Sequence, residues 1–170
     1  LSKTEAVQKA FIMTVNVGSI PRDHWLQNPE IGGGRIVGEM CHFVDLIRFL
    51  AGHPIQSYTV LPMKSELPDN VSVSLRFQDG SVGVINYFSN GHRGYPKETI
   101  EIFSGGKILK LDNFRKLYGY GWKHFKKVSL WKQDKGNKAC VHRFAEAITK
   151  NQVSPIPFDK YGKNFTILLK

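Results

Sequence analysis

Apolar and polar positions alternate with a period of two over residues 11–17, where Phe11, Met13, Val15 and Val17 mark one face of a strand. The same alternation returns in Val71, Val73, Leu75 and Phe77, and Asp79-Gly80 supplies a hairpin turn into 82–85. A second hairpin pairs 99–103 with 108–111 across Gly105-Gly106. Between these strands the period changes: Met40, Phe43, Val44, Ile47, Leu50 and Ala51 recur at three- and four-residue spacing. This predicts a helix that begins near Gly38 and is stopped by Gly52 and Pro54. Asn137 fits the N-cap of a second helix with Cys140, Phe144, Ala147 and Ile148 on one face, and a last helix begins near Asp159. Residues 19–34, with Pro21, Pro29 and Gly32-Gly33-Gly34, read as a loop. Residues 113–127 read as an irregular basic and aromatic stretch, 128–131 as a short strand and 154–157 as extended chain. Two hairpins and a leading strand flanked by helices predict an α+β fold with a largely antiparallel sheet. There is no βαβαβ alternation, internal repeat or GxGxxG, and the glycines at 32, 33, 34 and 38 neither fit that spacing nor follow a strand directly.

The chain of 170 residues suits one domain, and 41% hydrophobic composition is enough for a core. No stretch approaches the roughly 18 uncharged apolar residues of a membrane span. The first ten residues include Lys3, Glu5 and Lys9 where a signal peptide needs an apolar run, and a first residue of Leu suggests a fragment. Two cysteines, Cys41 and Cys140, make neither a disulfide framework nor a four-thiolate zinc site, so a reduced, cytoplasmic compartment is expected. Both belong to apolar helix faces and are expected to be buried thiols. The six histidines lack metal-ligand spacing, and no metal is expected.

Charge changes the picture. With 24 basic and 14 acidic residues the chain carries +10, and residues 107–138 hold ten basic against two acidic side chains, a net of eight. Phe114, Tyr118, Tyr120, Trp122, Phe125 and Trp131 are interleaved with those bases, the composition of a single-strand nucleic-acid groove. No RNP-like, KH or zinc-knuckle pattern accompanies it, and a solvated basic face accounts for the same residues.

The richest chemistry lies around the triple glycine. Glu39 and His42, three apart, are neighbours on a helical surface outside the apolar stripe. A carboxylate beside an imidazole orients it and raises its pKa, which suits acid–base chemistry near neutrality; such pairs are also common on solvated helix faces. Upstream, Trp25 offers a face for a sugar ring and Arg22 a fork for an anion, or they are a core-edge plug and an exposed cation. Tyr87, Asn90, His92, Arg93, Tyr95 and Lys97 cluster after the first hairpin, as pocket lining or as a solvated loop.

The run GGGRIVGEMCHFVDLIRFLAG resembles the segment that opens the first helix of the C-terminal domain in the Gfo/Idh/MocA oxidoreductases, the family of glucose–fructose oxidoreductase and inositol dehydrogenases. The similarity extends to VNVGSIPRDHWLQNPEIGGG, NYFSNGHRGYPKETIEIF, LDNFRKLYGYG, LWKQDKG and SPIPF, and is most like the branch in which this domain ends a longer chain. The resemblance implies an open, mostly antiparallel mixed sheet with helices on one face. It makes residues 1–170 a substrate-binding and dimerisation domain that lacks the N-terminal Rossmann domain, its NAD or NADP and its EKP-like catalytic Lys. The implied function is that of an NAD(P)-dependent oxidoreductase acting on a sugar, nucleotide-sugar or polyol hydroxyl, as a homodimer; the fragment alone would be inactive. His42 stands at the family's acid/base or hydroxyl-anchoring His. The helping Asp four residues earlier is replaced by Gly38, which leaves Glu39 as the candidate helper, and Asp45 matches a structural position. Arg22, Trp25, Tyr87 and Lys97 are the candidate substrate-binding residues, with no cofactor-binding residue expected. Against this stand a basic nucleic-acid-binding module and a catalytically inert assembly domain.

Overall fold

The computed structural model describes residues 7–28, 30–65 and 69–156; the helix expected near Asp159 lies outside them. Among the described residues eight strands form one open mixed sheet in the order β2-β3-β4-β1-β5-β6-β7-β8. They are β1 (Ala10–Asn16), β2 (Ile55–Pro62), β3 (Val71–Phe77), β4 (Val82–Phe88), β5 (Glu98–Ser104), β6 (Lys107–Asp112), β7 (Lys116–Tyr120) and β8 (Lys127–Ser129). β1 and β4 pair in parallel, and every other neighbouring pair is antiparallel. Both expected hairpins form, β3–β4 and β5–β6.

One face of the central strands is the core. Phe11, Met13, Val15, Val71, Val73, Leu75, Phe77, Ile85, Tyr87, Ile100 and Ile102 are buried together with Met40, Val44, Ile47 and Ala51 of the helix α1 (Cys41–Ala51) and the turn before it. The period-2 and period-3.6 patterns therefore meet in a single apolar layer, each large buried side chain adding about 1.5–3 kcal/mol. α1 runs opposite to β1: Phe43 lies 6.3 Å from the Tyr87 ring at one end, while Lys9 Nζ donates to the Ala51 carbonyl at the other. Gly52 ends the helix in the left-handed region, φ +79°, with its N–H bonded to the Arg48 carbonyl. Among the described residues no helix is long and apolar enough to cross a membrane.

Several expectations are corrected. The helical run starts earlier than Gly38, as a π-helical turn over Ile36–Met40 that leads into α1. Residues 113–127 are not wholly irregular, because Leu117 pairs with Leu111 and draws Lys116–Tyr120 into the sheet as β7. β2 has no counterpart in the sequence reading: only Ile55 and Tyr58 of it are half-buried, and a register shift between Ile55 and Ser57 breaks its alternation. The helix α2 (Asn137–Thr149) is capped by Gly136, φ +79°, and Asn137 is its first residue. Of the face predicted on α2 only Ala147 is buried; Cys140, Phe144 and Ile148 are exposed. Neither cysteine is a buried thiol, since Cys41 is only half-buried.

Candidate functional site

The end of the sheet where β1 and β4 finish collects most of the singled-out residues. β4 delivers Tyr87 one residue before its end, and the Asn16 N–H of β1 bonds the Lys97 carbonyl just ahead of β5. The loop after β1 passes through a short 3-10 turn, Trp25–Gln27, before the glycines and the π-helical turn. Gly32 is demanded by close approach: a Cβ there would sit 2.6 Å from the Leu26 Cα and 2.9 Å from the Trp25 carbonyl oxygen. The glycine loop thus seats the backbone of residues 25–26 and sends Arg35 inward.

Arg35 is buried and organises the site. Its Nη1 donates to the Gly18 carbonyl at 2.7 Å and lies 3.9 Å from Asp69 Oδ2; its Nη2 donates to Glu39 Oε2 at 3.3 Å. Gln27 Nε2 donates to the same Asp69 oxygen at 2.8 Å, and the guanidinium carbon lies 5.9 Å from the Tyr87 ring centroid. The Tyr87 hydroxyl donates to Glu39 Oε2. Burial, and then the charge-assisted bond to Glu39, push the Tyr87 hydroxyl far above the ordinary phenol range, so it acts as a fixed donor and not as an acid. Arg35 Nε finds no acceptor among the described residues. Two carboxylates on one guanidinium share a desolvated charge, an arrangement that fails if any member is removed.

The result is a carboxylate with Oε2 fixed from within and its side chain 32% exposed at the surface. The expected Glu39–His42 pair does not form: among the described residues Glu39 is held by Arg35 and Tyr87, and no hydrogen bond joins it to His42. His42 stands exposed one turn further along the helix. Trp25 is 60% exposed with its indole 5.7 Å from the His24 ring, and Arg22 and Lys97 are exposed. Tyr87 is fully buried and reaches the site only through Glu39. Sequence reasoning missed Arg35, Asp69 and Gln27. A signal for Arg35 was present, an Arg four residues ahead of a Glu at the start of a helical run; none marked Asp69, which lies in a loop between strands. Asp45, taken as structural, lies 3.8 Å from Arg48 on α1.

A nicotinamide dinucleotide, which the family resemblance implies, does not fit this glycine loop. The space that a pyrophosphate would need beside Gly32 is filled by the backbone of Trp25 and Leu26. Among the described residues no group of three His, Cys, Asp or Glu side chains could hold a metal ion.

The model of the GFO/IDH/MocA C-terminal domain matches residues 9–108. No curated protein matches by sequence. Among solved structures, aldose-aldose oxidoreductase from Caulobacter crescentus superposes with a TM-score of 0.77 at 13% identity, over 96% of this chain and 52% of that one. UDP-N-acetylglucosamine 3-dehydrogenase from Acidithiobacillus ferrooxidans gives a TM-score of 0.74 at 16% identity, over 94% and 51%. Levoglucosan dehydrogenase, in complex with NADH and L-sorbose, gives 0.72 at 18% identity, over 96% and 54%. The chain spans about half the length of each of these proteins.

Proposed function

The chain belongs to the GFO/IDH/MocA family through its C-terminal domain, and from that premise we propose that it is the substrate-binding and assembly half of an NAD(P)-dependent oxidoreductase acting on a hydroxyl of a sugar, nucleotide-sugar or polyol. The dinucleotide would be held outside this chain, where it would supply the hydride acceptor. The residues here bind and orient the carbinol and handle its proton. His42, exposed at the start of α1, takes or anchors the proton of the reacting hydroxyl. Glu39 accepts a hydrogen bond from a neighbouring hydroxyl, while Arg35 and Tyr87 keep it from swinging away. Trp25, Arg22 and Lys97, all exposed, would add a ring face and positive charge for the substrate.

The single observation that carries this reading is the Arg35–Glu39–Tyr87 arrangement. A buried cation and a buried phenol fix a partly exposed carboxylate at the surface of the site, an arrangement that pre-orients one oxygen and leaves the group open to a ligand. The test is NAD- or NADP-dependent turnover, by the full-length protein that carries this chain, across a panel of aldoses, polyols and nucleotide-linked sugars. At least one member is expected to be oxidised, and Glu39→Gln is expected to raise KM for it about tenfold, the weight of one charge-assisted hydrogen bond. Failure of the whole panel, or a Glu39→Gln variant with unchanged KM, would count against the assignment.

A further inference from the structure

The basic and aromatic stretch of the sequence does not converge on the site described above. Tyr87 is level with Val15 and Glu98, and the backbone of Glu98 meets that of Asn113, which precedes β7. Tyr120, at the far end of β7, is level with Ile108 and hence with Phe103 and Ala10, at the opposite end of the sheet. Four strand steps separate β4 from β7, about 19 Å, and the offset along the strands adds about 17 Å. The two regions thus lie about 25 Å apart, too far for one small substrate to touch Glu39 and Lys123 together.

At that far end β7 and the turn after it enclose a groove of about 570 Å³ lined by Tyr118, Tyr120, Trp122, Lys123 and Lys126. The strand period places Tyr118 and Tyr120 on the same face. Trp122 follows the strand and is fixed by its Nε1, which donates to the Ile108 carbonyl at 3.1 Å. Lys107 Nζ lies 5.1 Å from the Trp122 ring centroid, and Lys127 Nζ lies 5.3 Å from that of Tyr118. The Tyr120 ring is left more than half exposed. Phe125 packs against Gly119, where a Cβ would lie 2.4 Å from its ring. Lys123 and Lys126 are exposed, and among the described residues no carboxylate lines the groove or pairs with either.

From this juxtaposition of an open, rigidly backed aromatic platform with unopposed lysines we propose a second ligand site, for a nucleoside diphosphate. The ring system would stack on Tyr120 beside Trp122, and the diphosphate would lie against Lys123 and Lys126. Stacking accepts any flat base, and compact ammonium groups suit phosphate without demanding one geometry. The footprint favours a nucleotide over a strand: the open groove is lined by the end of β7 and the turn after it, and about 570 Å³ lies within the range of small-molecule sites. The site stands independently of the oxidoreductase reading, because it shares no residue with Glu39 or His42.

Calorimetric titration of the purified chain tests it, with UDP, ADP, inorganic phosphate and a ten-residue oligothymidylate as probes. Saturable binding of UDP and ADP is expected, at least about tenfold tighter than phosphate, since one stacked ring is worth that factor. Tyr120→Ala and the double change Lys123→Glu, Lys126→Glu should each weaken it about tenfold, whereas Tyr120→Phe should leave it unchanged. All three positions are exposed, so near-ultraviolet circular dichroism should confirm that the variants fold. No saturable nucleotide binding would overturn the proposal. So would phosphate binding as tightly as UDP, variants that bind like the parent, or an oligonucleotide more than tenfold tighter than UDP, which would assign the groove to a strand.

Discussion

Arg35 carries more of the site than any residue whose chemistry is conspicuous in the sequence. It is buried, holds Asp69 and Glu39 at once and packs beside Tyr87. Replacing it by Met keeps the volume but leaves Asp69 buried without its cation, an uncompensated charge that costs about 3–5 kcal/mol. The urea midpoint of Arg35→Met should fall accordingly with little change in m; an unchanged midpoint would show that Asp69 is neutralised by another route. The sequence made Glu39 and His42 visible because charged residues three apart share a helix face. It could not reveal that Glu39 also meets Tyr87, which lies 48 residues away and reaches it because β4 runs beneath the start of α1. His42 was legible as a polar group outside the apolar stripe, and the structure places it in solvent.

At the level of elements, legibility followed the regularity of the pattern. β1, β3, β4 and β5 bury alternate residues in the core, so their period-2 signal survives in the sequence. β2 and β7 lie away from the centre, bury little and carry a bulge or glycines, and their period is faint. α2 shows the opposite failure, a clear apolar stripe with Phe144 and Ile148 exposed among the described residues. Its Cys140 and the Cys41 of α1 therefore differ in reach. Burial, opposed in part by hydrogen bonding from the His42 backbone, raises the Cys41 thiol above its ordinary value. The thiolate is the nucleophile, so a raised pKa leaves less of it at pH 7. Iodoacetamide followed by mass spectrometry should label Cys140 first. Cys41 should be labelled more slowly, its rate still climbing at pH values where an ordinary thiol has levelled off. Equal rates at pH 7 would contradict the partial burial of Cys41.

For the whole molecule, among the described residues, the sheet has one face covered by α1 and one open. On the open side Ile12 and Val82 are exposed and Val84, Phe88 and Phe103 partly so, a patch on β1, β4 and β5 that ends two strands short of β7. A second copy of the chain is expected to cover it, because an uncovered apolar sheet face favours self-association. Sedimentation should show dimers at tens of micromolar, the range of a weak contact, and Ile12→Glu should give monomers; a parent chain that sediments as a monomer there would exclude this surface. The central claim, that this chain is the substrate-handling half of an oxidoreductase, rests on Glu39 as Arg35 and Tyr87 fix it, and it assigns the proton to His42, exposed one turn further along the helix. It is tested most directly by kcat of the full-length protein with His42 replaced by Ala, measured on the sugar or polyol that the parent oxidises. A loss of about 10²-fold or more is expected, the usual weight of a general acid–base group, with the variant still folded. A His42→Ala protein that turns over at the parent rate would contradict it.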